Sequence, residues 1–273
     1  MLSKACYPEP RQGTNEREAK RHLERAMVLE SSDDSRAERE YRLAIKAKGG
    51  CYPQAQRKLS GLLSSQLRFE EAGEVLKEYV KETPGEDHSY DLKLLSELER
   101  AETLQERINA QVKPLLDDFL EFVVLITKYA KPEDARPCAE RALKLYPNSS
   151  KSNLLLARLL RTDESTRQLN LIKRAIELDP SDPQAHSQLG WFYFLPGRNT
   201  KGAIEEFRKA IDLSNGQYAD AWQGLGHVLV LTGSRKEAIE AYRNYLRTRK
   251  TPSQYDDVIK RKIEMLERSP GEG

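Results

Sequence analysis

The sequence predicts an all-α fold, a solenoid of antiparallel helix pairs stacked in a row. Three observations carry this reading. Four similar segments recur: "LAIKAKG" at 43–49, "RALKLYP" at 141–147, "RAIELDP" at 174–180 and "KAIDLSN" at 209–215. Their alanines Ala142, Ala175 and Ala210 stand 33 and 35 residues apart, and a step of 35 also joins Ala44 to Tyr79 and Ala210 to Tyr245. A period of about 34 residues belongs to stacked two-helix units. Within each unit apolar residues return every three or four positions, one stripe per helix. Pro53, Pro84, Pro132, Pro147, Pro180, Pro183 and Pro252 fall between units or at helix starts, where a missing backbone donor costs least.

Residues 1–14 read as a flexible leading segment, and a block of about two units follows at 15–86. Its first unit is clear only in its second helix, where Ser35 and Glu38 suggest a capping box before "AEREYRLAI". The stretch 87–115 breaks the rhythm. It reads as a charged connecting helix after a Pro-Gly turn, with Leu92, Leu95, Leu98, Leu104 and Ile108 as its apolar stripe. About four units occupy 116–252. In the last, Trp222, Leu225, Gly226 and Leu229 mark the first helix, and Ala238, Ile239, Tyr242 and Tyr245 the second. Ser234 and Glu237 form another candidate capping box between them. The segment 253–268 reads as a capping helix that covers the last unit with Val258, Ile259, Ile263 and Leu266, as solenoid ends require. Residues 269–273 form a tail.

These units resemble the tetratricopeptide-repeat (TPR) family. "WQGLG…EAIEAY" at 222–242 carries most of the family pattern, and "LGWFY…GAIEEFRKAIDLSN" at 189–215 carries it with one extra turn residue. "AQRKLSGLL…EEAGEVLKEYVKETP" at 55–84 fits at full length, whereas 117–147 fits weakly and 152–180 lacks the central alanine, with Gln168 near that place. The resemblance covers about four-fifths of the chain. It implies a right-handed superhelix whose first helices line a concave groove for peptides or helices of partner proteins.

Composition narrows the function. Net charge is +2 from 45 basic and 43 acidic residues, without the basic excess usual in nucleic-acid binders. RNA binding, which needs a regular series of polar base-reading residues, ranks last among the alternatives. No apolar run approaches the ~20 residues of a membrane helix, and the opening residues lack the apolar core of a secretory signal. Cys6, Cys51 and Cys138 are odd in number and far apart, which argues against a disulfide framework and fits a reducing cytoplasmic setting. His22, His88, His186 and His227 have no ligand-spaced partner, so no metal is expected. "GRNTKGA" at 197–203 lacks the Lys-Ser/Thr pair of a phosphate loop, and "GLGHVL" at 224–229 lacks the third glycine of a dinucleotide fingerprint. Gly224 and Gly226 read instead as close-packing positions. With no catalytic signature or cofactor motif, the expectation is a non-enzymatic scaffold without cofactors. Charge pairs along helices, such as Glu177 with Lys173, read as solvated surface.

Transferring the family geometry places the candidate partner-binding residues. Trp191, Phe194 and Leu195 share a stripe of one first helix, and His227, Val230 and Leu231 hold the matching places in the next. Lys151, Arg158 and Arg161 form a basic group in the preceding unit. In the earlier block the places fall to Gln54, Arg57, Gly61 and Ser64, which do not make the carboxylate clamp of chaperone-binding relatives. The expected partner is a protein segment with an apolar anchor and nearby acids. The alternatives are packing of Trp191 and Phe194 under a neighbouring repeat, and self-association by repeat stacking. If the groove reading holds, Trp191→Ala lowers partner affinity and spares melting.

Overall fold

The computed structural model describes residues 15–111, 113–195, 199–249 and 254–268. The leading segment 1–14, the tail 269–273 and the turn residues 196–198 therefore lie outside the described residues. Every regular element described is helical. The chain divides into two compact units, Met1–Ala139 and Glu140–Gly273.

In the first unit α1 (Glu16–Leu29) pairs with α2 (Asp34–Ala47), and α3 (Pro53–Ser65) pairs with α4 (Phe69–Glu82). The helix α5 (Ser89–Ala110) packs on both α4 and α6 (Leu116–Tyr129), and α6 also touches α3. The charges of α5 tie it to its neighbours. Arg100 makes a two-pronged contact with Glu121 of α6 at 2.6 Å, and Lys77 of α4 reaches Glu99 at 3.4 Å. Leu98, Ala101, Leu104 and Ile108 are buried, but Leu92 is exposed. Asp91 takes the inward place one residue earlier, because it has a guanidinium to meet there.

The helix α7 (Pro132–Leu145) runs across the division between the units. The second unit continues with α8 (Ser150–Leu159), α9 (Ser165–Leu178), α10 (Pro183–Phe194), α11 (Thr200–Leu213), α12 (Ala219–Leu231), α13 (Arg235–Thr248) and α14 (Gln254–Arg268). The pairs are α8 with α9, α10 with α11 and α12 with α13. The first helices α8, α10 and α12 also touch in sequence.

The period found in the sequence is the period of the core. Ala44, Tyr79, Ala142, Ala175, Ala210 and Tyr245 are all between 0 and 2% exposed. Small alanines there let paired helices approach, while Tyr79 and Tyr245 fill the same place with rings worth about 2–3 kcal/mol each on burial. Where 152–180 lacks an alanine, Gln168 reaches across and donates to the Ala157 carbonyl at 3.0 Å. The glycines of α10 and α12 pack as expected. A Cβ on Gly224 would lie 2.3 Å from the Phe207 ring, one on Gly190 2.8 Å from it, and one on Gly226 2.5 Å from Tyr242.

Four local expectations change. Asp33, not Ser35, caps α2, accepting from the Arg36 N–H at 3.0 Å; a carboxylate two residues earlier already holds the free donors. Ser234 stands at the cap of α13 but makes no side-chain cap bond. On α14, Ile259 and Ile263 are buried against Tyr242 and Tyr245 with Leu266 beside them, whereas Val258 is exposed, one step off that stripe. Glu177 pairs with Arg174 at 3.1 Å, so the neighbour three residues back takes the place expected of Lys173.

Candidate functional site

The sequence-derived candidates gather on α8, α10 and α12 of the second unit. Trp191 and Phe194 lie near the end of α10, which is closed by the cap residue Leu195. Trp191 is half-buried. Its indole N–H donates to Asp220 Oδ2 at 2.9 Å, and its ring meets Phe207, Phe194 and His227 with centroids 5.3, 5.7 and 5.8 Å away. Ser187, one turn before Trp191 on α10, is fully buried and donates to the same Asp220 oxygen at 2.7 Å. An analogous bond stands one unit earlier, where Ser150 donates to Asp182 at 3.2 Å. The stripe that sequence spacing assigned to a partner is therefore in part the seam between successive first helices. Trp191 and Phe194 form its floor, packed against the core of α11 to α13.

His227 links this floor to the C-terminal helix. Its ring stacks on Phe194 with 6.3 Å between centroids, and its Nδ1 accepts from the Tyr242 hydroxyl at 2.9 Å. Lys262 of α14 brings its ammonium to 3.3 Å of the same nitrogen. Burial, helped by the Lys262 charge, pushes the imidazole down to about 4, so it stands neutral at pH 7. The Lys262 amine is itself pulled below the usual lysine range by burial. Tyr218, just ahead of α12, is held above the usual phenol range by burial, with Asp220 and Asp182 adding to the effect and Arg158 opposing it.

Beyond the floor, Val230 is 39% and Leu231 70% exposed at the end of α12. Lys151, Arg158 and Arg161 are exposed on and just after α8. Arg161 lies 3.8 Å from Asp163. The structure thus sets two exposed aliphatic side chains and three exposed cations on the consecutive first helices and their ends.

In the first unit the corresponding residues are arranged differently. Arg57 makes a two-pronged contact with Asp91, at 2.9 and 2.7 Å, and donates to the Tyr79 hydroxyl at 2.9 Å. Asp91 is fully buried, and the guanidinium holds its carboxyl below the usual carboxylate range. Gln54 is exposed, while Ser64 is buried and turned back onto the Ser60 carbonyl. Sequence reasoning did not pair Arg57 with Asp91, Ser187 and Trp191 with Asp220, or His227 with Lys262. The usable signal was spacing, because Arg57 and Asp91, Ser187 and Asp220, and His227 and Lys262 are separated by 34, 33 and 35 residues, about one repeat.

Among the described residues no cluster of His, Cys, Asp and Glu could hold a metal ion, and no helix is long and apolar enough to cross a membrane. No curated protein matches this sequence. Among solved structures, the crystal structure of MamA protein is similar at 19% identity, over 71% of this chain and 89% of that one, with a TM-score of 0.40. That of YrrB, described as a TPR protein with an unusual peptide-binding site, is similar at 17% identity, over 82% and 97%, with a TM-score of 0.41. Two family models, both described as tetratricopeptide repeat, match residues 171–223 and 219–251. Those residues hold α10 to α13, the pairs in which glycine-backed packing is tightest. On the two family models, residues 171–251 carry tetratricopeptide repeats.

Proposed function

We propose that the protein is a non-enzymatic scaffold whose α8–α10–α12 face binds a peptide or helical segment of a partner protein. Its repeats support protein interaction in general, and the side chains on this face suggest the kind of segment. The observation that carries the reading is the pair Val230 and Leu231, left exposed one turn beyond His227 and next to a floor already packed by Trp191 and Phe194. A partner's apolar anchor would cover them, and its acids would meet Lys151, Arg158 and Arg161. Trp191, Phe194, Leu195 and His227 then support the surface from beneath. Selection of displayed random peptides against the full chain tests this. Binders should share an apolar anchor flanked by acids, and Leu231→Glu or Arg158→Glu should each weaken them by about tenfold. Binders indifferent to both changes would refute the assignment.

A second reading, association of copies through the C-terminal helix, is favoured by one observation. Tyr255, Val258 and Met265 are exposed on α14 at helical spacing. Light scattering that stays at 31.3 kDa across a wide concentration range would dismiss it.

A further inference from the structure

Lys262 stands on α14 where no acid meets it. The helix carries four carboxylates, and another cation takes each of them. Asp256 pairs with Arg249 at 3.5 Å, Asp257 with Lys260 at 3.2 Å, Glu264 with Arg268 at 3.8 Å and Glu267 with Arg243 at 2.7 Å. Elsewhere Lys48, Lys58, Lys77 and Lys128 each reach a glutamate. Lys262 makes no ion pair with an acid among the described contacts.

An imidazole and a phenol surround it instead. Its Nζ is 3.3 Å from His227 Nδ1 on α12 and 6.0 Å from the centre of the Tyr242 ring on α13. On its own helix Ile259, Ile263 and Leu266 pack with Tyr242 and Tyr245. The accepting nitrogen of a neutral imidazole offers one lone pair. The Tyr242 hydroxyl, at 2.9 Å, has the nearer claim on it. The ammonium form of Lys262 is left with neither a counter-ion nor an acceptor of its own, whereas a neutral amine loses little there. Burial accordingly pulls the amine below the usual lysine range. A lysine so placed is a nucleophile at neutral pH, because a proton no longer holds its lone pair. It is only half-buried, which leaves a way in from water. The exposed Arg261 beside it has no acid partner among the described contacts, so a cation is at hand for an anionic leaving group.

We propose that Lys262 is an acylation site, which takes the acyl group of a small acyl phosphate and holds it as an amide between α12, α13 and α14. The Nζ lone pair attacks the carbonyl carbon and the C–N bond forms. The bond from that carbon to the phosphate oxygen breaks, and phosphate leaves with the electron pair. The proton shed by nitrogen ends on the departing phosphate, so nothing else is consumed. The amide is uncharged. Acylation therefore removes the charge beside His227 and lets the imidazole take up a proton at higher pH. None of this rests on the binding face proposed above.

The test treats the full chain with acetyl phosphate to low conversion and reads each lysine by mass spectrometry of its peptides. Lys173 and Lys209, exposed in the same unit and without an acid partner among the described contacts, are the references. At pH 7 Lys262 should react at least about fivefold faster than either, since each unit taken off an amine's pKa raises its neutral fraction about tenfold. The lead should vanish near about pH 11, where every lysine is largely neutral. Tyr242→Phe frees the imidazole lone pair for the ammonium, so it should slow Lys262 severalfold and spare both references. In the acetylated chain the ring protons of His227 should titrate above the value of about 4 found beside the free amine. The proposal is overturned if Lys262 reacts no faster than the references at pH 7 or keeps the same lead at both pH values. It is equally overturned if Tyr242→Phe leaves its rate unchanged, or if acetylation leaves the His227 midpoint where it was.

Discussion

Trp191 and Asp220, 29 residues apart, are joined by a 2.9 Å hydrogen bond from the indole N–H to a carboxylate oxygen that also accepts from Ser187. The bond joins one repeat's first helix to the next. Trp191→Phe should therefore cost about 1 kcal/mol, the worth of one hydrogen bond, while Trp191→Ala should cost about 3 kcal/mol through the lost ring packing. Urea denaturation measures both. Equal stability of Trp191→Ala and wild type would mean that the ring is not part of the fold.

Phe207 is enclosed by two glycines, with Gly224 and Gly190 facing its ring. Gly224→Ala should destabilise by about 2 kcal/mol or more, because the added methyl overlaps a ring that has nowhere to move. The paired substitution Gly224→Ala with Phe207→Leu should recover part of that loss. A double-mutant cycle with no coupling would contradict the close packing.

His227 makes the second unit acid-sensitive. Its pKa falls from the ordinary 6.5 to about 4 on folding, so the unfolded chain takes up the proton first. Its contribution is whole above pH 6.5 and is lost as pH falls from there toward 4. The loss should amount to about 3 kcal/mol. His227→Phe should flatten that part of the stability profile, and Lys262→Met should shift the midpoint toward 6.5. An unchanged profile in both variants would exclude His227 as the titrating group.

Asp91 carries its negative charge with no exposure, and Arg57 is its partner. Asp91→Ala should cost about 2 kcal/mol, less than for a wholly buried pair because Arg57 is itself half-exposed. Arg57→Ala should cost more than Arg57→Lys, since only the guanidinium can bond both carboxylate oxygens. Thermal melts of the three variants decide the order.

Much of the fold was legible in the sequence for a simple reason. One small or aromatic position recurs at the helix crossing of each unit, and nothing else fits there. Contacts lateral to that position were harder to read. Leu92 and Val258 obeyed the apolar spacing but lie at the margin of their stripes, where one residue's rotation exchanges core for solvent. Asp33 displaced Ser35 as a cap because both are good acceptors and the sequence does not rank them. The candidate site was legible only as a set of helices. Stripe geometry grouped Trp191, Phe194 and His227, whose rings meet, but it did not reveal that Asp220 engages the indole. The expectation that Trp191→Ala would spare melting therefore gives way to the prediction above.

The serine-to-aspartate bonds, Ser150 with Asp182 and Ser187 with Asp220, bear on how the second unit comes apart. Each is a nearest-neighbour coupling, so no helix pair there can unravel without raising the free energy of the next. Fraying from one end should be suppressed and disassembly concentrated into a single cooperative step. A chain shortened between α11 and α12 would leave Ser187 and Trp191 facing water and lose more stability than the deleted residues alone supplied.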